Sequence, residues 1–407
     1  MIWLYRLIQI FLLPLVVVFF AWRLMQGKEI AARWPERLGW AAQPRPAGSL
    51  VWLHGASVGE MLSLLPLAEA LRAEGVHVLM TSGTRTSATL VQKRAPAGVI
   101  HQFLPFDLWP CVALFLAHWR PDVAVFVESE FWPELLYQTP RPVLVNARIS
   151  DKSYPTYLKF NRFFRPFLQN IQAALAQRPA DAERLQALGV ADVHVGGNLK
   201  YDVPPPACDE AVLANFQQQF AKQPVLVFAS THEGEEDMVR AMVQRLGQDV
   251  PDLLTVIVPR HPERGGQLAR TYGWPQRSKK MGLPSRGIYL ADTLGELGLW
   301  FRLADVVVVG GSLVPHGGHN PLEPLKLSKV TLTGPHMFNF KDMVPQLAAE
   351  GVLYVAKDLA DLEKEVHSYL KNKKKQKAQV QRIDAHMPAL SGATHIALEM
   401  VKKHAKA

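Results

Sequence analysis

His54-Gly55-Ala56-Ser57-Val58-Gly59-Glu60 follows an apolar run, Leu50-Val51-Trp52-Leu53, and precedes an amphipathic one from Met61 to Ala73. Strand, glycine turn and helix make a βα unit. Glu60 then lies in the first helical turn at the carboxyl end of a strand, where open α/β sheets keep their ligands. An acidic residue there complements the helix dipole, which accounts for Glu60 on its own. His54 beside it, and two glycines that let a backbone approach a ligand, add a second reading in which Glu60 does chemistry.

The same rhythm repeats outward from this turn. Val76–Met80, Val123–Val127, Val143–Val145 and Ala173–Ala176 read as strands, and Asp181–Leu188 as a helix. Strands alternating with helices mean a parallel sheet with right-handed crossovers. Polar residues gather just after the strands: Glu60, Ser82, Thr84, Glu130, Asn146 and Arg148. Several such residues on one sheet edge suggest a cleft.

Gly196-Gly197-Asn198-Leu199-Lys200-Tyr201-Asp202-Val203-Pro204-Pro205-Pro206 reads as a short, stiff linker, with Lys200 either solvated or a cation facing a cleft. The βα pattern then restarts with Val225–Ala229, Leu253–Val258, Ile288–Leu290, Asp305–Val309 and Lys329–Leu332, the last clear strand. Two Rossmann-like domains facing across a cleft are expected: an anchor at 1–25, a first domain at 26–203 and a second at 204–407, whose last helix packs back on the first.

The second half looks built for an anion. Arg260 at a strand end suits a bidentate phosphate contact. Gly310-Gly311-Ser312 is expected to expose backbone N–H groups. In Gly317-Gly318-His319-Asn320-Pro321-Leu322-Glu323, Asn320 suits an N-cap, Pro321 the first helical position and Glu323 the third. Glu323 could equally hold both hydroxyls of a ribose, and the helix start favours a phosphate. Neither G-x-G-x-x-G nor G-x-x-x-x-G-K-[ST] occurs.

With 45 basic and 36 acidic residues among 407, the chain carries +9 and calls for an anionic partner or surface. Cys111 and Cys208 lie too far apart in sequence to suggest a disulfide framework or zinc site. Leu7–Trp22 is almost wholly apolar, and no small-residue cleavage site follows it. Arg23, Lys28, Arg33 and Arg37 come next, which by the positive-inside rule places the body on the cytoplasmic side. An uncleaved anchor is expected, either spanning or lying in the interface. Tyr154–Phe167 interleaves aromatics with Lys159, Arg162 and Arg165. It reads either as a core helix with a solvated basic face or as a surface for an amphipathic anion, with single-stranded nucleic acid the weaker option. The Lys371–Lys377 cluster is a solvated helical face or a second contact with anionic lipid.

Five segments in order, His54–Glu60, Glu128–Pro133, Gly197–Lys200, Pro259–Arg264 and Gly310–Glu323, resemble the 3-deoxy-D-manno-octulosonic acid (Kdo) transferases of Gram-negative bacteria. The resemblance covers nearly the whole chain. It implies a GT-B glycosyltransferase that moves Kdo from CMP-Kdo to the lipid A precursor at the cytoplasmic face of the inner membrane. It also implies inversion, no bound metal and no nucleic-acid partner. By position, Glu60 resembles the general base, and Glu130 and Lys200 match residues that support the transition state. Pro259 and Arg260, then Leu294, Gly295 and Glu296, then Asn320, Pro321, Leu322 and Glu323, match the segments that hold CMP. Glu233 stands where the family often has Trp. A GT-B enzyme with another nucleotide sugar, and a catalytically silent nucleotide-binding protein tethered to the membrane, are the alternatives.

Overall fold

The computed structural model describes residues 2–219, 223–282 and 284–406. Contacts divide the chain into two compact units, residues 1–203 with 390–407, and residues 204–389.

In the first unit a seven-stranded parallel sheet runs in the order β3-β2-β1-β4-β5-β6-β7. Its strands are β1 Leu50–Gly55, β2 His77–Ser82, β3 Ile100–Phe103, β4 Val123–Val127, β5 Pro142–Ala147, β6 Ala173–Ala176 and β7 Val193–Val195. The chain winds outward from β1 to β3, then returns to lay β4 against the other side of β1. That reversal opens a crevice at the carboxyl ends of β1 and β4. Helices cover both faces of the sheet, so its central strands are apolar throughout. Leu50, Trp52 and Phe126 join one core, while Val51, Leu53 and Val125 join the other, as the two-residue period of a strand requires. The second core is completed from the far end of the chain. Ala393, Ala397, Leu398 and Val401 of the helix Ala393–Lys406 pack there, beside the helix Val58–Ala73.

In the second unit six parallel strands run β10-β9-β8-β11-β12-β13. They are β8 Val225–Thr231, β9 Leu254–Pro259, β10 Gly287–Leu290, β11 Val306–Val309, β12 Val330–Thr333 and β13 Tyr354–Val355. Here the reversal lies between β8 and β11. Three edge strands, β3, β7 and β13, escape the sequence pattern: β3 (IHQF) and β7 (VHV) break their apolar runs with polar residues, and β13 has only two residues.

The amino-terminal apolar run is a helix, Ile2–Met25, of 24 residues, long and apolar enough to cross a membrane. The aromatic and basic stretch is not one helix but two, Tyr154–Lys159 and Asn161–Leu168, broken at Phe160. Both readings of it hold in part. Tyr157, Phe163 and Phe164 pack on the core and Phe167 is buried, whereas Lys159, Phe160, Arg162 and Arg165 are exposed. The lysine cluster is less free than its sequence suggests. Lys373 pairs with Asp305 at 3.0 Å and Lys375 with Glu365 at 2.6 Å, and Lys371 donates to the Asp249 carbonyl at 2.9 Å.

Candidate active site

In the first unit the turn after β1 is built by a capping box. Ser57 is the N-cap of Val58–Ala73, and its Oγ accepts the Glu60 N–H at 3.3 Å. Glu60 closes the box. Its carboxylate accepts the N–H of Ala56 at 2.7 Å, the more distant N–H of Ser57 at 3.4 Å, and the Ser57 hydroxyl at 2.7 Å. Glu60 is half-buried, and each carboxylate oxygen has two lone pairs. The cap therefore orients the group without using all its acceptor capacity.

Glu130 follows β4, the neighbour of β1. Trp132 Nε1 donates to its Oε2 at 2.7 Å, and His54 Nε2 lies 3.3 Å from the same oxygen. His54 Nδ1 lies 2.9 Å from Thr81 Oγ1 and 3.1 Å from the Thr81 carbonyl, and Trp52 Nε1 donates to the same Oγ1 at 2.8 Å, which fixes the ring with Nε2 toward Glu130. Burial opposes charge on Glu130, but the bonds from His54 and Trp132 and the attraction of His54 outweigh it and hold the carboxyl below the usual range.

Lys200 lies in the turn Leu199–Tyr201, after β7, yet its ammonium reaches back to Glu128 Oε1 at 2.6 Å. Glu128 and Asn146, at the ends of β4 and β5, both adopt left-handed backbone (φ 56° and 52°). Such a conformation is uncommon outside glycine and marks a constrained loop. Asn146 is fully buried, and its Oδ1 accepts the Leu199 N–H at 3.0 Å, anchoring the turn that carries Lys200. Glu60 and Glu130 thus share the reversal point of one sheet, and Lys200 joins that edge through Glu128. Sequence reading names Asn146 among the polar residues of the cleft edge and Glu128 only as a neighbour of Glu130. Their function as anchors depends on a long-range pairing that no local pattern encodes.

In the second unit the sequence expectation needs correcting at two places. The N–H groups of Gly311 and Ser312 are not offered to a ligand. They donate to Glu235 at 2.8 and 3.1 Å, together with the N–H of His232 at 2.9 Å and of Leu313 at 2.9 Å. Glu235 is 1% exposed and so acts as an internal anion for this loop. Ser312 is fully buried, its hydroxyl donating to the Val309 carbonyl and accepting from Gly334 N–H. The second correction concerns Asn320–Glu323. The helix starts at Leu322 with Pro321, not Asn320, at the N-cap position, so Glu323 is second rather than third; Asn320 Oδ1 still accepts the Leu322 N–H at 3.1 Å, and its Nδ2 lies 3.5 Å from Glu323 Oε1. The helix behind it, Leu322–Leu325, has four residues, however, too few aligned peptides for an appreciable dipole. A phosphate preference cannot rest on it.

A histidine cluster is the more conspicuous feature of this edge. His232 after β8, His261 after β9, and His316 and His319 after β11 converge at the carboxyl edge of three adjacent strands. His232 stacks on His316 (4.1 Å between ring centres) and on His319 (5.1 Å), and meets His261 edge-on at 5.9 Å. His232 Nε2 and His319 Nε2 are 2.8 Å apart and so share one proton. Burial and the surrounding positive groups, His232 and Arg260 among them, push His319 down to about 4. His232 is lowered by burial and by His316, His261, Arg260 and Arg264. An anion beside the exposed Arg260 would favour the charged forms of His232 and His319. The sequence signal for this cluster was four histidines in three segments already singled out for other residues.

The remaining candidates lie on the same edge. Pro259 closes β9, and the Arg260 N–H donates to the Thr231 carbonyl at 3.0 Å. Leu294 is 82% exposed, and Gly295 has left-handed backbone (φ 83°). Glu296 accepts a two-pronged bond from Arg277 (2.7 and 3.0 Å) and borders a cavity of about 520 Å³. Among the described residues no group of three or more His, Cys, Asp or Glu has an arrangement fit to hold a metal ion.

Two parallel sheets, each with candidate site residues at its point of reversal, define a GT-B protein. Solved structures agree on the fold: a glycosyltransferase from Rickettsia africae (TM-score 0.57, 12% identity, 88% of this chain and 99% of that one), and UDP-GlcNAc 2-epimerase from Neisseria meningitidis (TM-score 0.57, 13% identity, 88% and 100%). Residues 32–203 match the family described as 3-deoxy-D-manno-octulosonic-acid transferase (kdotransferase). The 3-deoxy-D-manno-octulosonic acid transferase of Haemophilus influenzae is 33% identical over 384 residues, 88% of each chain. That of Rickettsia typhi is 34% identical over 318 residues, 75% of this chain and 68% of the relative. The chain belongs to the Kdo transferase family and is a Kdo-transferring glycosyltransferase.

Proposed function

We propose that the protein transfers Kdo from CMP-Kdo to the lipid A precursor, with inversion and without a bound metal, at the cytoplasmic face of the inner membrane. What carries this reading is family membership over both units, joined to a carboxylate turn on one sheet and a histidine cluster beside Arg260 on the other. Glu60 takes the proton of an acceptor hydroxyl as that oxygen attacks the anomeric carbon. The bond from that carbon to the CMP phosphate breaks, and CMP leaves with the electron pair. Arg260 and the protonating imidazoles of His232 and His319 stabilise the phosphate charge, the task a metal performs in other transferases. Glu130 and Lys200 act on the sugar, held in register by His54 and Glu128. Pro259, Leu294, Gly295, Glu296 and Asn320–Glu323 border the nucleotide.

The test is to incubate the full-length protein with CMP-Kdo and lipid A precursor and follow the acceptor by mass spectrometry. A mass increase of one or more Kdo units is expected. Transfer only from a UDP-sugar would replace the donor assignment, and nucleotide binding without any mass shift would leave a silent binding protein.

A further inference from the structure

The amino-terminal helix carries an inference independent of which sugar is moved. Its buried and half-buried positions are Ile2, Tyr5, Arg6, Gln9, Val16, Phe20, Arg23 and Leu24. These recur at intervals near three and four, so one stripe of Ile2–Met25 lies along the first unit from end to end. Near the start, Tyr5 donates to Asp107 at 2.8 Å and Arg6 to Glu134 at 2.6 Å. Near the end, Phe20 packs edge-on against Phe106 at 5.1 Å, and Arg23 pairs at 2.7 Å with Glu29, which also holds the buried Arg37 at 3.0 Å. From residue 2 to residue 23 is about 31 Å at 1.5 Å per residue, roughly the thickness of a bilayer's hydrocarbon core.

A helix crossing that core while so attached would drag Asp107, Glu134 and Glu29 into hydrocarbon with it. Taking such charges out of water costs several kcal/mol each. The opposite face is apolar and open: Leu4, Ile8, Phe11, Leu15 and Val18 are each 44–75% exposed. Both ends carry amphipathic residues suited to a headgroup layer. Trp3 and Trp109 flank Arg6 at 5.0 and 5.3 Å, and Trp22 sits 4.7 Å from Lys28.

We infer that the helix Ile2–Met25 lies in the plane of a membrane, its open face in the acyl layer and its clamped face on the first unit, so that both ends are on one side of the bilayer. The occupant of this face is lipid. The chain's +9 charge suits an anionic surface, and the exposed Lys159, Phe160 and Arg162 continue the surface from Phe163, whose ring lies 6.0 Å from Tyr5.

The experiment places a peptide tag at each end of the full-length protein and treats right-side-out and inside-out membrane vesicles from expressing cells with protease. Both tags cut in the same preparation is the expected result. An amino-terminal tag cut only in the opposite preparation from the carboxyl-terminal tag would overturn the inference. A second readout avoids tags: with Cys208→Ser as background, Trp3→Cys, at the headgroup end of the helix, and Lys28→Cys should react with an impermeant maleimide in the same vesicle orientation. Labelling in opposite orientations would again sink it.

Discussion

Glu235 accepts four main-chain N–H groups and Glu60 two, but Glu235 is 1% exposed while Glu60 keeps a half-exposed edge. The two carboxylates therefore respond differently to substitution. Glu235→Ala orphans donors in a buried loop, at about 1–3 kcal/mol for each left unsatisfied. A loss of 3 kcal/mol or more is expected, read as a fall in the urea midpoint, with Glu235→Gln milder. Glu60→Gln retains an acceptor for the cap, so stability should change little. Transfer should fall by about 10²–10⁴-fold while CMP binding persists, because the amide cannot take a proton. Near-normal turnover would remove Glu60 from the mechanism. The imidazole cluster has its own signature. His319 sits at about 4 in the free protein, because burial and positive neighbours disfavour its charge. A bound phosphate raises that value, so binding takes up a proton and tightens as pH falls from 7 toward 5. CMP titrations by calorimetry in buffers of different ionisation heat should show this uptake, and His319→Asn should flatten it. The same depression makes the unliganded unit less stable as pH drops from about 6.5 to about 4, since the unfolded chain takes up a proton that folded His319 refuses.

Elements distant in sequence complete each other. The helix Ala393–Lys406 belongs to the core of the first unit, and its entry is tied by Asp202, which accepts the N–H of Gly392 at 2.7 Å and of Thr394 at 2.5 Å. This cap reaches across 190 residues, so loss of it is a tertiary as well as a helical defect. Asp202→Ala should cost about 0.5–2 kcal/mol, the range for a lost N-cap. Deletion of the helix should cost far more, by exposing the residues beneath Val401 and Leu398; thermal melts followed by tryptophan fluorescence would rank the two. Local pattern was enough to read the long buried strands β1, β4 and β8, whose apolar runs end in glycine or polar turns. It was not enough for β3, β7 and β13, which take their pairing from a neighbouring strand. The break at Phe160 was equally hidden, since the aromatic spacing continues across it.

For the molecule, charge and the apolar helix act together on membranes. Raising salt from 0.1 to 1 M shortens the Debye length from about 10 to about 3 Å and removes most surface attraction. Burial of an apolar helix face is not screened. Full-length protein on vesicles of phosphatidylethanolamine and phosphatidylglycerol should therefore lose part of its binding in 1 M salt and keep the rest, as co-sedimentation would show; complete release would mean that the helix is not inserted. Sequence by itself determined the βα rhythm, the two-unit plan, the apolar amino terminus and the positions of Glu60, Glu130 and Arg260 at strand ends. Those features follow from local periodicity and from turn chemistry, which neighbouring residues suffice to encode. Tertiary structure decided the rest. Glu235 takes the N–H groups of Gly311 and Ser312, four histidines from three loops meet in one cluster, Glu128 holds Lys200, and the apolar helix is clamped at both ends. Each includes contacts between residues tens to more than a hundred positions apart, and only the folded sheets bring those partners together.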